Sequence, residues 1–221
     1  MVIIKFILYF SSVIQFVMIA IITGDMINSR KPTDLNWLEG LKKILGKYGQ
    51  SPAQWEIYRG DQFQLEVAVP EEALHTAFLI KAYLKTRKLD ARMSIGLGEK
   101  NYAADKISES NGSAFVRSGD LFETLKKQKL TLAVQTGDVA FDTELNLMLR
   151  LGLTFMNHWL AQPAEYVVAA LEHPKFSQEE IGQQLGISQA AVSRRRKRAE
   201  FDLLLELDLY YRNRLQTITL W

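Results

Sequence analysis

FSQEEIGQQLGISQAAVSRRRKR, residues 176–198, holds two short helical patterns separated by a glycine turn and ends in five consecutive basic residues. Ser177 with Glu180 has the spacing of a capping box, which opens a helix by satisfying backbone N–H groups that have no partner in the first turn. Ile181 and Leu185 are four apart and belong on one inward face. Gly186 suits the left-handed residue that ends a helix. Ile187 fills the gap before the next helix, which Ser188 caps. Val192 points back to the core. This spacing predicts a helix-turn-helix.

The chemistry that such a unit offers is DNA binding. Small Ala190 and Ala191 let the second helix enter a major groove. Gln189 can read adenine with two hydrogen bonds, and Ser188 and Ser193 suit phosphates or base edges. Arg194, Arg195, Arg196, Lys197 and Arg198 would neutralise phosphates and make binding salt-dependent. The competing reading is a helical pair with a solvated basic face, or a protein-docking module. EEIGQQLGISQAAVS resembles the helix-turn-helix of many bacterial regulators, which places double-stranded DNA first among expected partners.

The net charge of 221 residues is only +2, so affinity for nucleic acid must come from a local patch. There is no cysteine, which excludes disulfides and thiolate chemistry and fits a reducing compartment. His75, His158 and His173 are scattered and form no metal-ligand pattern. Residues 1–22 carry one charge, Lys5, over a length near that of a membrane span. MIAIITGD (residues 18–25) instead reads as a buried first strand beginning at Met18. The expectation is that residues 1–17 form an apolar extension or weak anchor on a cytoplasmic protein. Anchoring to the inner membrane through residues 1–22 is the alternative.

Downstream, the patterns alternate. A strand at Met18–Thr23 precedes a helix from Thr33 or Asp34 to Lys47. Strands Trp55–Arg59 and Gln62–Val69 meet at a Gly60-Asp61 hairpin. A helix from Pro70 to about Lys85 leads to a strand at Ala91–Leu97. A polar stretch, a helix Ala114–Lys127 and a strand Leu130–Gln135 follow. The order β-α-β-β-α-β matches a ferredoxin-like sheet, with a further α-β pair added. From Asp142 onward the chain reads as all helix, ending in a helix Ala199–Leu215. The expected fold class is therefore α+β: a ferredoxin-like sheet domain over residues 18–137, then an all-α domain over 138–221 with the helix-turn-helix at 176–198. Leu203, Leu207 and Tyr210 are spaced to form either a homodimer seam or a stripe packed on the same chain.

In this topology Asp25, at the end of the first strand, lies beside Asp61, in the hairpin tip. Two carboxylates there can hold Mg²⁺ against a triphosphate, since Mg²⁺ takes oxygen ligands and shares them with substrate phosphates. The simpler reading is that Gly-Asp is a common turn pair and Asp25 caps a loop. Arg30 and Lys31 would meet phosphates or remain solvated.

Asp25 with Ile27 and Ser29 resembles the first metal-binding segment of class III nucleotide cyclases, and RGDQF (residues 59–63) resembles their second. RMSIGLG (residues 92–98) is similar to a cyclase strand. Together with ISESNGSAF and SQAAVS, the arrangement over about residues 18–215 resembles the SatD family of bacterial proteins. The resemblance implies a nucleotide-cyclase-like sheet domain with metal ligands Asp25 and Asp61 and nucleotide contacts from Asn28, Ser29, Arg30, Gly60 and Arg92. Cyclases also use an Asn and an Arg on a late helix. Asn111 and Arg117 lie in that region without a clear spacing match, and no Lys-Asp pair for adenine selection is evident.

Three functions are weighed. The first is a DNA-binding transcriptional regulator whose cyclase-like domain senses a nucleotide. The second is a metal-dependent enzyme acting on nucleoside triphosphates, as cyclase or hydrolase. The third is a membrane-anchored interaction module. The first is preferred.

Overall fold

The computed structural model describes residues 18–27 and 36–217. The expected extension or anchor at 1–17 lies outside them, as do Asn28, Ser29 and Arg30. Among the described residues the fold is mixed α+β, with one five-stranded sheet and eight α-helices. In chain order these are β1 (Met18–Ile27), α1 (Asn36–Leu45), β2 (Trp55–Tyr58), β3 (Gln62–Val67), α2 (Ala73–Thr86), β4 (Asp90–Glu99), α3 (Ser113–Gln128) and β5 (Leu132–Gln135). Five helices follow: α4 (Val139–Met156), α5 (Ala161–Glu172), α6 (Gln178–Leu185), α7 (Gln189–Arg198) and α8 (Phe201–Leu215). The strands lie in the order β2-β3-β1-β4-β5, antiparallel throughout except for the parallel β4–β5 pair.

Several boundaries differ from those expected, each for a local reason. β1 continues to Ile27 because Asp25, Met26 and Ile27 still pair with Arg92, Ala91 and Asp90. Asp25 is thus a residue of the ladder rather than of the loop after it. The hairpin loop has three residues rather than two, Arg59, Gly60 and Asp61 between the paired Tyr58 and Gln62, with Arg59 and Gly60 both in the left-handed region. α4 starts at Val139, three residues before the Asp142 from which helix was expected, because the Asp138 carboxylate accepts the Phe141 N–H at 2.9 Å. α8 begins only at Phe201, because Glu200 turns left-handed and separates it from α7.

Strand periodicity divides the sheet into two unlike faces. Ala20, Ile22 and Met26 of β1 join Phe63 and Leu65 of β3 and Met93 and Ile95 of β4 in one apolar face. α2 covers this face and in turn carries α5, which explains why ALHTAFLIKAYL is apolar almost all round. The cluster continues past Gly137 through Phe141, Leu145, Tyr166 and Tyr211, so the helical half shares the core of the sheet. A helix end thus coincides with the expected boundary at Gly137-Asp138, whereas the apolar core runs across it.

The opposite face is polar toward one end: Thr23 and Asp25 on β1, Gln62 and Gln64 on β3, Arg92 and Ser94 on β4. α3 lies close over it. A Cβ built on Gly96 would stand 2.3 Å from the Ala114 carbonyl oxygen and from the Ser118 nitrogen. Beneath the helix, Ser118 Oγ donates to Thr23 Oγ1 at 2.7 Å and Ser94 Oγ donates to the Ser118 carbonyl at 2.7 Å. Serine and glycine alternate along β4 to admit the helix and satisfy its buried polar atoms. At the sheet edge, the Asn146 side chain of α4 both donates to and accepts from the Val134 backbone, at 2.8 and 2.9 Å. It occupies the position of a further strand and closes an edge that would otherwise be open to pairing.

Candidate functional site

The α6–turn–α7 unit is assembled almost wholly by local chemistry. Ser177 and Glu180 form both bonds of the capping box, at 2.7 and 3.2 Å. Gly186 sits at φ 65, and the Ser188 hydroxyl accepts the Ala191 N–H at the start of α7. Ile181 and Val192 are buried, and Leu185 and Ile187 pack at the rim. Gly182, within α6, was not singled out by the sequence. A Cβ there would lie 2.9 Å from the Ile187 carbonyl oxygen, so the glycine sets how closely the turn folds back.

Of the candidate DNA-binding residues, Ser188, Gln189, Ala190, Ser193, Arg194, Lys197 and Arg198 share the exposed side of α7. Arg195 and Arg196 do not. Arg195 reaches Glu165 of α5 at 2.8 Å. Arg196 donates to Asp202, with Nε at 3.1 Å, touches Tyr166 Oη at 3.4 Å and lies over the Phe201 ring. Helical spacing carries the signal for this split: residues three and four beyond buried Val192 return to the inner face.

The second candidate site lies on the polar sheet face. Asp25 is opposite Arg92 on one side and Gln62 on the other. Arg92 Nη1 stands 3.6 Å from Asp25 Oδ2, while Asp25 Oδ1 and Arg92 Nε are buried without a hydrogen-bond partner. Burial pushes the Asp25 carboxyl above its usual range; Arg92 and Lys126 oppose this, and Asp61 and Glu123 add to it. The Asp61 backbone carbonyl accepts the Met26 N–H at 2.9 Å, which fastens the hairpin tip to the end of β1. Asp25, Asp61 and Arg92 are therefore brought together, with Gly60 exposed at the tip. Glu123 and Lys126, paired at 2.6 Å on the last turns of α3, complete the surroundings. Their place depends on how α3 crosses the sheet, which the sequence pattern does not specify.

Asn111 and Arg117 are not brought to this cluster. Arg117 donates to the Leu97 carbonyl at 2.6 Å, five residues along β4 from Arg92, or about 16 Å at strand rise. Asn111 Oδ1 accepts the Gly112 N–H. The Asp25 and Asp61 carboxylates, the first with one unpartnered oxygen, are the kind of ligand a hard divalent cation takes when its remaining ligands come from phosphate or water. Among the described residues, no group of three or more His, Cys, Asp or Glu side chains is placed to hold a metal by itself. Also among them, no helix is long and apolar enough to cross a membrane.

No protein family, curated protein or solved structure matches this chain.

Proposed function

We propose that the protein is a DNA-binding transcriptional regulator, with α6 and α7 acting as a helix-turn-helix and α7 as the groove-entering helix. One observation carries this reading. α7 presents Gln189, Ala190 and Ser193 at its capped end and Arg194, Lys197 and Arg198 farther along one exposed side. Base-reading and phosphate-neutralising groups thus share a surface that no part of the described chain covers. The ferredoxin-like strand order and the resemblance to cyclase-like and SatD proteins support a nucleotide-sensing role for the sheet domain. Asp25 and Asp61 would hold Mg²⁺, which would supply positive charge to offset the phosphates of a bound nucleotide. Arg92 would offset charge beside them.

Selection from a random duplex library, followed by titration of the selected duplex by fluorescence anisotropy, tests the reading. Specific binding is expected, and Gln189→Ala should change the preferred base at one position, worth about 1–3 kcal/mol. A full chain that binds every duplex equally weakly, with and without nucleotides, would refute it.

A second reading, a metal-dependent enzyme acting on nucleoside triphosphates, is favoured by the unpartnered Asp25 Oδ1. Incubation with ATP or GTP and Mg²⁺ separates the two: product formed by the parent chain and lost in Asp25→Ala supports an enzyme. A thermal shift without product supports a sensor.

A further inference from the structure

The outer surface of the helical half has a feature that DNA binding does not use. α4 and α8 run side by side in opposite directions: Tyr210 Oη donates to Glu144 near one end, and Leu207 lies against Gly152 toward the other. Leu147, Leu151 and Leu203 are 50%, 63% and 51% exposed on this pair. Such a cluster of large apolar groups on one face marks an interaction surface rather than scattered surface leucines. Between the helices lies a groove of about 500 Å³. Gly152 lines it, and its missing side chain leaves room between Met148, Phe155 and Leu207. The Leu203-Leu207-Tyr210 stripe of α8 is thus applied to α4. Leu207 is buried there, and Leu203 remains half exposed at the groove wall.

We propose that this face binds a second copy of the same chain across a two-fold axis running along the α4/α8 groove. A two-fold contact requires one patch to carry both the projection and the recess that receives it. Here Leu151 of α4 and Leu203 of α8 stand on opposite walls of the groove, and the axis sets the Leu151 wall of each copy against the Leu203 wall of its partner. Charge agrees with that axis. Arg150 is on α4 and Glu206 on α8, both exposed and, among the described residues, outside any ion pair. They lie within two residues of the Gly152–Leu207 contact, so they stand at one level of the helix pair. Rotation about the groove carries each Arg150 to the partner's Glu206 and keeps like charges apart. Size agrees as well. Helices of 18 and 15 residues are about 27 and 22 Å long and lie roughly 10 Å apart. Their joint face is therefore of the order of the 800 Å² that each partner contributes to a standard interface.

The test is sedimentation equilibrium of the full chain beside Arg150→Glu, Glu206→Arg and the double variant, with circular dichroism to confirm folding. The parent should be a dimer at micromolar concentration. Each reversal should raise its dissociation constant at least tenfold, and the double variant should recover most of that loss. Because the chain has no cysteine, an Arg150→Cys variant mixed with a Glu206→Cys variant should also give a disulfide-linked dimer under mild oxidation, which neither gives as readily alone. A parent that stays monomeric would overturn the proposal. So would a dimer indifferent to both reversals, or one weakened by each and not rescued by the pair.

Discussion

The α6–α7 unit and the polar face of the sheet are built in opposite ways. In α6–α7 nearly every polar group that the backbone leaves open is closed within a few residues: Ser177 by Glu180, Ala191 by Ser188, and the turn by Gly186. The cations not used inside the fold face outward. On the sheet face, the contacts join residues far apart in the chain: Asp25 with Arg92, Thr23 with Ser118, and Gly96 under the Ala114 carbonyl. Buried polar atoms there remain without partners. A basic exposed surface can be assembled from neighbours in the chain. The polar face of the sheet needs several strands and a helix to bring its groups together, and some of its buried polar atoms stay unpaired.

The contrast is sharpest at two glycines. Gly96→Val should destabilise the fold by about 3 kcal/mol or more, because the added carbons meet backbone of α3 that has no room to move. Gly186→Ala meets open space and bears only the left-handed backbone cost of roughly 1–2 kcal/mol. Urea unfolding of both variants measures the difference. Equal losses would mean that α3 does not press on β4 as described.

The next effect is smaller. Ser177→Ala removes one half of the capping box and should cost about 1 kcal/mol. Hydrogen exchange should show faster opening of α6 and no change in the sheet. Faster exchange in β1 or β4 would show that the two regions are coupled more tightly than their separate contacts suggest.

These particulars show what was readable in advance. The capping box, the Gly186 turn and the Ser94-Gly96 alternation are written at spacings of one to four residues, and the sequence displays them directly. The pairing of Asp25 with Arg92 follows from strand order and register together, so it required the topology first. Glu123 and Lys126 beside Asp25, Asn146 closing the sheet edge and Gly182 under the turn depend on how elements cross, and no local pattern specifies that. Arg195 and Arg196 were legible in principle from their spacing to Val192, but a basic run read as a block conceals which members turn inward.

The smallest expected effect is on the sheet face. Folding raises the Asp25 pKa, so the folded state holds that proton more tightly than the unfolded chain. Ionised Asp25 therefore costs stability at pH values above its folded pKa, and the cost disappears as the pH falls below the ordinary carboxylate range. Asp25→Asn should melt slightly higher than the parent at pH 7, with the gap closing toward acid pH. A lower melting temperature at pH 7 would mean that the attraction of Arg92 outweighs burial.

The central claim is that α7 presents its exposed side to DNA, and the salt dependence of binding tests it most directly. The affinity of the parent, of Arg194→Ala/Lys197→Ala/Arg198→Ala and of Arg195→Ala should be measured on one duplex over a range of salt. The triple variant should bind more weakly and have a shallower slope of log affinity against log salt, by about 0.9 for each phosphate contact removed. Arg195→Ala, whose guanidinium is held by Glu165, should keep the parental slope. An unchanged slope in the triple variant would contradict the assignment of α7 as the DNA-facing helix.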